Sequence, residues 1–420
     1  MRFRVSLLAA PLIFVSHTVR LSAGAAPQIG SVFVIAFENR NWTQPAEDES
    51  SPQQIYHNPA APFINSLVTP GNRNARFSAY AAAYHQVLAT PDGMGPSIHP
   101  SEPNYIWQEA GSNLGVLDDN DPYGAGAQVD AMKFFLSFHP ELTGEHLCGL
   151  LQRAGIAWMS YQEDTNLENT VGENGNRGGL LTSKSVSLAK RTVPLFSFTG
   201  YSADYVNEYN HSHQYNFAAK HDGTLFFEDT SGHGDPSPAN VSVSHYAPLQ
   251  QLATDLASGH VARYNLITPN EYNDMHTPLQ GGFTYLGKHY TGEIAMLAQA
   301  DNFLSIIIPQ IEASEAFRQN GVIVIWTDET EGYRLNDFRH TLMEIIISPL
   351  AKGNAFCVTE NLTHSADVAT WQKVFALRAK SPSGFLNDAA NASPSASMND
   401  LSEFFQPGII PTALPPGDQR

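Results

Sequence analysis

SVFVIAFENR, residues Ser31 to Arg40, decides the reading of the fold. From Val32 to Phe37 every residue is apolar, and Val32, Val34 and Ile35 are β-branched; Gly30 stands before the run and Glu38-Asn39 end it. A strand with one wet face alternates polar and apolar residues, whereas a strand covered on both faces reads as a continuous apolar run. The stretch therefore predicts a buried parallel strand that stops abruptly at a carboxylate. GVIVIW (Gly321 to Trp326), ended by Thr327-Asp328-Glu329, has the same character, as does EIIISP (Glu344 to Pro349). AGIAWMSY (Ala154 to Tyr161) and ARYNLITP (Ala262 to Pro269) read as further strands. Helical patterns alternate with them at Glu145 to Ala154, Pro248 to Ala257 and Tyr290 to Gln319. Such alternation predicts an α/β fold, a mostly parallel central sheet with helices on both faces.

The chain has 420 residues, enough for one large domain, and 23 basic against 41 acidic residues give a formal charge of −18. That charge argues against nucleic acid as a partner and against stable association with anionic membranes. It leaves room for a metal-lined pocket that takes an anion. Arg2 and Arg4 precede the apolar stretch Val5 to Val15, and Ala23-Gly24-Ala25 follows as a cleavage site. This reads as a secretory signal over residues 1–25 and predicts a secreted, extracellular or periplasmic protein, an uncleaved anchor being the other reading. No later stretch approaches the ~20 apolar residues of a transmembrane helix. The expected organisation is one domain over 26–411, with a polar insertion or lid at 166–234 and a tail at 412–420; the Ser/Ala/Pro-rich chain after Ser381 is expected to pack loosely. Cys148 and Cys357 are the two cysteines, and the sequence leaves open whether they pair. Sequons at Asn41, Asn210, Asn240, Asn361 and Asn391 would be surface positions in a glycosylating host. Oligomeric state is open.

Ligands of open α/β sheets bind beyond the carboxyl ends of the strands. Two of the buried runs end in Glu38-Asn39 and Asp328-Glu329. If both strands are central and parallel, three carboxylates and an amide oxygen converge into an all-oxygen set suited to one divalent cation of unspecified identity. The plainer alternative is that each pair starts a turn or caps a helix. HPSEPNYIWQEA (His99 to Ala110) places Ser101 at the mouth of a helix. Two readings of Ser101 stand side by side. As a cap it satisfies a free amide. Beside a cation its hydroxyl loses its proton more easily and becomes a nucleophile, with a phosphate favoured at the helix N-terminus and Asn104 in reach of a phosphate oxygen.

The chain resembles a phosphoesterase family of the alkaline-phosphatase-like superfamily, the one that contains acid phosphatases and non-specific phospholipases C. FENRNW is similar to the family's Glu-Asn-Arg opening, and HPSEPNYI to its Ser/Thr-x-Pro-Asn nucleophile segment. WMSYQED, TPNEYNDMH, WTDETEG, HTLMEIIISPLAKG and THSADVATWQKVF resemble its later motifs, in order, over Gln28 to Pro411. The resemblance implies Glu38, Asn39, Asp328 and Glu329 as ligands of one metal ion, and Ser101 as a nucleophile that also touches the metal. It implies Asn104 on the phosphate, and His276 as general acid oriented by Asp274. His221 falls in the family's Lys/Arg-His-Asn-Pro segment, where this chain has Asp-Gly in place of Asn-Pro. His340, on the substrate side, and His364 are further candidates. No second set of Asp and His ligands is evident, so one metal site is expected.

The function implied is a metal-dependent phosphoric-ester hydrolase working through a phosphoserine intermediate on a small phosphate ester. The alternatives are a phospholipase C-type phosphodiesterase and a catalytically silent carbohydrate-binding relative. A sulfatase would need a Cys/Ser-x-Pro-x-Arg context, which HPSEPNY lacks. The segments expected to roof the site, NTVGENGNRGG (169–179) and YVNEYNHSHQYN (205–216), are polar. Polar walls suit a hydrated monoester better than a lipid, and histidines would hold a dianion on the acid side of neutrality.

Overall fold

The computed structural model describes residues 27–48, 54–89, 97–117, 119, 142–165, 206–214, 216–232, 239–331, 338–387 and 400–416. Ten strands are present among them: β1 (Val32–Phe37), β2 (Ser78–Ala81), β3 (Trp158–Gln162), β4 (Tyr246–Pro248), β5 (Tyr264–Thr268), β6 (Phe283–Tyr285), β7 (Lys288–Tyr290), β8 (Val322–Thr327), β9 (Glu344–Ile347) and β10 (Phe356–Val358). Eight form one sheet in the order β10-β2-β9-β8-β1-β5-β3-β4, and β6-β7 is a separate hairpin. The opening stretch is the central strand: Val32 to Ile35 pair in parallel with Tyr264 to Ile267 on one side, and Val32 to Phe37 with Val322 to Thr327 on the other. β9 alone runs against its neighbours, so its first residue, Glu344, lies beside Trp326 at the edge where β1 and β8 end.

The sequence of β1 explains its burial. Its side chains alternate between two cores. Val32, Val34 and Ala36 join one core with α2 (Glu102–Ala110), α3 (Leu147–Arg153) and α6 (His364–Val374). Phe33, Ile35 and Phe37 join the other with α1 (Pro62–Leu67), α4 (Gln251–Ser258) and α5 (Glu293–Glu312). A strand between two helical layers needs apolar residues on both faces, hence the unbroken run.

Three expectations change. The helix α5 is, against the sequence reading, long and apolar enough to cross a bilayer, with a mean hydropathy of 1.3, yet 67% of that span is buried inside the protein. Asp301, in its middle, accepts the main-chain N–H groups of Phe63 and Ile64 at 3.0 and 2.7 Å and so caps α1. The chain after Ser381 is not loose where it is described: Leu401, Phe404 and Phe405 are buried, and Lys352 N–H donates to the Phe404 carbonyl at 2.9 Å. Three of the sequons are not at the surface, while Asn361 is half-buried. Asn41, Asn210 and Asn240 are buried, and their side-chain amides donate to Gln44, to Asn273, and to the Ser231 and Gly232 carbonyls. Cys148 and Cys357 are both free. The expected signal, residues 166–205 of the expected insertion, and Asn391 lie outside the described residues.

His146, at the start of α3, is wholly buried between Glu109 and Asp229, 2.8 Å from each. Burial alone would push its pKa down, but the hydrogen bonds to Asp229 and Glu109 outweigh it and hold the pKa above 6.5. A raised folded-state pKa means stability that is present below the unfolded value and is lost as pH rises through the folded one. His146→Gln should therefore lower stability at pH 6 by about 2–4 kcal/mol, since Glu109 is left buried without its cation. The penalty should shrink as pH rises above the folded pKa. Urea melts of both proteins across pH 6 to 9 would show it; a penalty independent of pH would contradict the charged His146.

Candidate active site

β1 and β8 run parallel and end together, so Glu38 and Asp328-Glu329 emerge side by side at the carboxyl edge. Asn39 follows with φ 44°, a left-handed conformation that Asn tolerates, and this aims its main-chain N–H at Asp328 Oδ1, 3.1 Å away. Ser101 precedes α2. Its side chain makes no capping bond to the helix. Instead its hydroxyl donates to Glu38 Oε2 at 2.7 Å and lies 3.4 Å from Glu329 Oε1. Of the two readings of Ser101, the cap is therefore not what the structure shows. Asn104, one turn on, donates to the Ile98 carbonyl at 3.2 Å and to Glu329 Oε2 at 3.3 Å, so it shapes the turn that presents Ser101.

A third edge group comes from the turn after β5. Asn270 accepts the N–H groups of Tyr272 and Asn273 on its Oδ1, folding PNEYND into a tight loop. Glu163, at the end of β3, anchors that loop by accepting from Asn270 N–H and from the amides of Asn273 and Asn207. YVNEYNHSHQYN was expected to roof the site. In its described part Asn207 and Asn210 are instead buried with partners for their side-chain amides, and Tyr209 is buried against Phe303, while Val206, Glu208 and His211 are exposed. The loop's far end is pinned to the site, where Glu38 N–H donates to the Asp274 carbonyl at 2.8 Å.

His221 lies at the centre. Its ring stacks on Tyr105 at 5.2 Å, with Nε2 3.3 Å from Glu38 Oε1 and Nδ1 3.3 Å from Asp274 Oδ2. The departure from Asn-Pro has a physical reason. Asp222 takes hydrogen bonds from Ser160, Gln162 and Thr224 and clamps the segment to β3. A Cβ at Gly223 would meet the Tyr105 carbonyl oxygen at 2.4 Å, so only glycine fits there.

Not every expected residue takes its expected place. Asp274 Oδ1 accepts the main-chain N–H of His276 rather than its ring; the ring is 3.2 Å from Thr277 Oγ1 and 3.6 Å from Glu271 Oε2, with 30% of the side chain exposed. His340 points to Asp48, with Nε2 2.8 Å from Oδ2. His364 supports the cluster from below, its Nε2–H donating to the Asp328 carbonyl at 2.6 Å. Two residues are additions. Tyr105 donates to Glu38 Oε1 at 2.5 Å, and His99 Nδ1 sits 2.9 Å from Glu329 Oε2. His99 is two residues from Ser101 in sequence, and that proximity was the available signal.

The electrostatics are those of crowded anions. Burial, and then the neighbouring carboxylates, push Glu38 and Glu329 well above the usual carboxylate range; burial and then Glu271 do the same for Asp274, and burial pushes Asp328 up to about 7. Burial holds His221 well below 6.5, and neutral, helped by Lys220 and His276. Asp328 Oδ2, Asp274 Oδ2 and Asn104 Oδ1 are buried without a hydrogen-bond partner among the described residues. Orphaned hard oxygens among buried carboxylates fit a divalent cation by donor chemistry. No three His, Cys, Asp or Glu among the described residues yet stand as a metal-coordinating group. Ser101, Tyr105 and Asn39 engage the oxygens instead.

No family model matches the chain. Among curated proteins it is similar to a phosphatidylinositol-3-phosphatase of Mycobacterium tuberculosis, 29% identical over 154 residues, which are 34% of this chain; the match spans 42% of that relative's length. Among solved structures it is similar to a protein in the alkaline phosphatase superfamily from Vibrio parahaemolyticus (TM-score 0.42, 10% identity, 85% of this chain and 69% of that one). It is also similar to the phosphonate monoester hydrolase of Agrobacterium radiobacter (TM-score 0.40, 11% identity, 90% and 78%) and to the lipoteichoic acid synthase LtaP of Listeria monocytogenes (TM-score 0.39, 9% identity, 88% and 77%).

A cation held by these oxygens would compete with protons for them, so manganese or calcium at about 100 times its Kd at pH 8 should raise stability by about 2.7 kcal/mol there and, at the same concentration, by much less at pH 5. Asp328→Asn should lose most of that gain. A thermal shift retained in full by the variant would exclude Asp328 from the cation site.

Proposed function

We propose that the chain is a metal-dependent phosphoric-ester hydrolase of the alkaline-phosphatase-like superfamily, with Ser101 as nucleophile, and that it acts on phosphomonoesters. One observation carries the reading: a serine at a helix N-terminus whose hydroxyl caps nothing and faces buried carboxylates instead. The name of the Mycobacterium tuberculosis relative, which is that of a phosphatase, supports the monoester class.

The chemistry follows from the hydrogen bonds. Glu38 Oε2 accepts the Ser101 proton as Oγ attacks phosphorus, and the bond from phosphorus to the ester oxygen breaks. The ring of His276, with 30% of its side chain exposed, would hand a proton to the departing oxygen; burial lowers its pKa, so it carries that proton only on the acid side of neutrality. In the second step a water molecule gives a proton to the now unprotonated His276 as its oxygen attacks the phosphoseryl phosphorus, the bond from phosphorus to Ser101 Oγ breaks, and Oγ recovers its proton from Glu38. The Glu102 N–H and the Lys220 ammonium both hold the Asp119 carboxylate, at 3.1 and 2.7 Å, and the same donors suit a phosphate. Glu38, Asn39, Asp328 and Glu329, with Ser101, would hold the divalent cation, which when bound lowers the proton affinity of the hydroxyl and offsets the carboxylate charge facing the substrate.

Ser101→Ala should lower kcat by more than about 100-fold on p-nitrophenyl phosphate while the melting temperature holds. A smaller loss would exclude the covalent route. His276→Ala should hurt alkyl phosphates more than nitrophenyl phosphate, because only a poor leaving group needs the proton; equal losses would remove His276 from that role. A panel of p-nitrophenyl phosphate, its phosphocholine diester and phosphatidylcholine vesicles separates the classes. Faster cleavage of the diester or the vesicles would favour the phospholipase C-type reading, and no cleavage of any would favour a silent relative.

A further inference from the structure

Arg40 directly follows the Glu38-Asn39 pair that ends β1, and the proposed chemistry gives it no part. It is 4% exposed, and its guanidinium divides its hydrogens among three elements. Nη1 donates to the Asn39 carbonyl at 2.8 Å and lies 2.8 Å from Glu331 Oε1, while Nη2 donates to Met296 Sδ of α5 at 3.0 Å. Glu331 stands two residues beyond Glu329, in the turn that follows β8, and its own N–H donates to Asn41 Oδ1 at 3.1 Å. The turns after β1 and β8 are thus laced together past the point where the strand pairing stops. Phe37 and Thr327 are the last paired residues. Beyond them come, in order, Asp328 N–H to the Phe37 carbonyl at 3.1 Å, Asn39 N–H to Asp328 Oδ1 at 3.1 Å, the Arg40–Glu331 ion pair, and Glu331 N–H to Asn41.

These links bear on the two turns whose oxygens would hold a cation. Asn39 has a positive φ of 44°, a conformation that an L-residue keeps only when its surroundings hold it there. It is held at both ends: Asp328 takes its N–H, and Arg40 takes its carbonyl. Released at the carbonyl end, the residue could relax towards a cheaper conformation, and its N–H would leave Asp328. The turns also carry three carboxylates, Glu38, Asp328 and Glu329, whose like charges push them apart. The guanidinium resists that from outside the cluster, joining the first turn to the side chain of the second. Arginine suits the place and lysine does not. A planar fork serves a carbonyl, a carboxylate and a thioether at once and at fixed angles, whereas an ammonium is a point charge on a flexible stem. We propose that Arg40, paired with Glu331, is a positioning residue that fixes the Glu38-Asn39 turn against the Asp328-Glu329 turn and so sets the affinity of the cluster for a divalent cation. The proposal rests on the reading of those four residues as cation ligands; it does not require Ser101 to react.

The test is manganese(II) binding to the full-length protein at pH 8, read as free manganese by electron paramagnetic resonance, with circular dichroism to confirm the fold. Removing a residue that only orients metal ligands typically costs 10- to 100-fold in affinity. Arg40→Met keeps an apolar stem and removes every donor, and should weaken manganese binding by about 10-fold or more. Arg40→Lys keeps the charge but not the fork, and should lie closer to Arg40→Met than to wild type. Glu331→Gln should cost less affinity in the Arg40→Lys protein than in wild type, because the two side chains act as a pair. Where wild type turns over p-nitrophenyl phosphate, saturating manganese should bring kcat of Arg40→Lys back towards wild type, since assembly of the site is disturbed and the reacting groups are not. A residue that merely stabilised the fold would lower the melting temperature and leave the manganese dissociation constant of the folded variant unchanged. If Arg40→Met does not fold, Arg40→Lys decides. Wild-type affinity in a folded Arg40 variant, fully additive losses for Arg40→Lys and Glu331→Gln, or no manganese binding by wild type would overturn the proposal. Weakened binding in a protein that cleaves no phosphate ester would support it and reject the function proposed for Ser101.

Discussion

The burial of like charges at one edge of the sheet is the constraint on which the rest of the structure depends. Glu38, Asp274, Asp328 and Glu329 are all buried within a few ångströms of the ends of β1, β5 and β8. An unpaired carboxylate in such surroundings is costly, and several together more so. The fold answers with donors. Ser101 and Tyr105 give their hydroxyl hydrogens to Glu38, Asn39 its main-chain N–H to Asp328, Asn104 its side-chain amide and His99 its ring Nδ1–H to Glu329, and His276 its main-chain N–H to Asp274. Some oxygens still lack a partner, and those are where a cation would belong.

The scaffold exists to hold those donors in register. α2 brings Ser101, Asn104 and Tyr105 from one side, and is itself fastened to α6 through the Trp107 indole and Ser365 at 2.8 Å. Glu163 and its amide partners hold the loop carrying Asp274 and His276, and Asp222 holds the segment carrying His221. The loop carrying Asp274 and His276 and the segment carrying His221 are thus each set by a carboxylate one layer further out, and α2 by an indole-to-hydroxyl bond. Loosening that outer layer should weaken the site without touching any atom that reacts.

Much of this was legible in the sequence, for identifiable reasons. A strand covered on both faces must be apolar throughout, so β1, β5, β8 and β9 were readable, and the carboxylates that end β1 and β8 followed. Ser101 was readable as a candidate because a helix start is a local signal; its orientation was not, since that depends on Glu38, 63 residues away. Tyr105 carried no signal in the sequence, since its ring is core and only the hydroxyl end reaches the site. The hydrogen-bonded Asp367–Tyr84–His364 group joins segments 280 or more residues apart, and no local pattern records it. Two readings failed for one reason. Polar residues were taken as surface in the sequons and in the 205–216 segment, whereas an asparagine whose amide is satisfied can sit in the core. The sequence reading found no later stretch long and apolar enough to cross a membrane, yet α5 is one by length and composition, because an apolar helix packed in the core of a sheet protein resembles a membrane span.

Acid-quenching the metal-loaded protein during turnover of p-nitrophenyl phosphate, and mapping the trapped phosphoryl group by peptide mass analysis, tests the central claim most directly. The account predicts a phosphoryl group on the peptide containing Ser101, on that serine alone, formed and lost at rates compatible with turnover. Steady turnover with no phosphoryl group on Ser101, or with one on another residue, would contradict it.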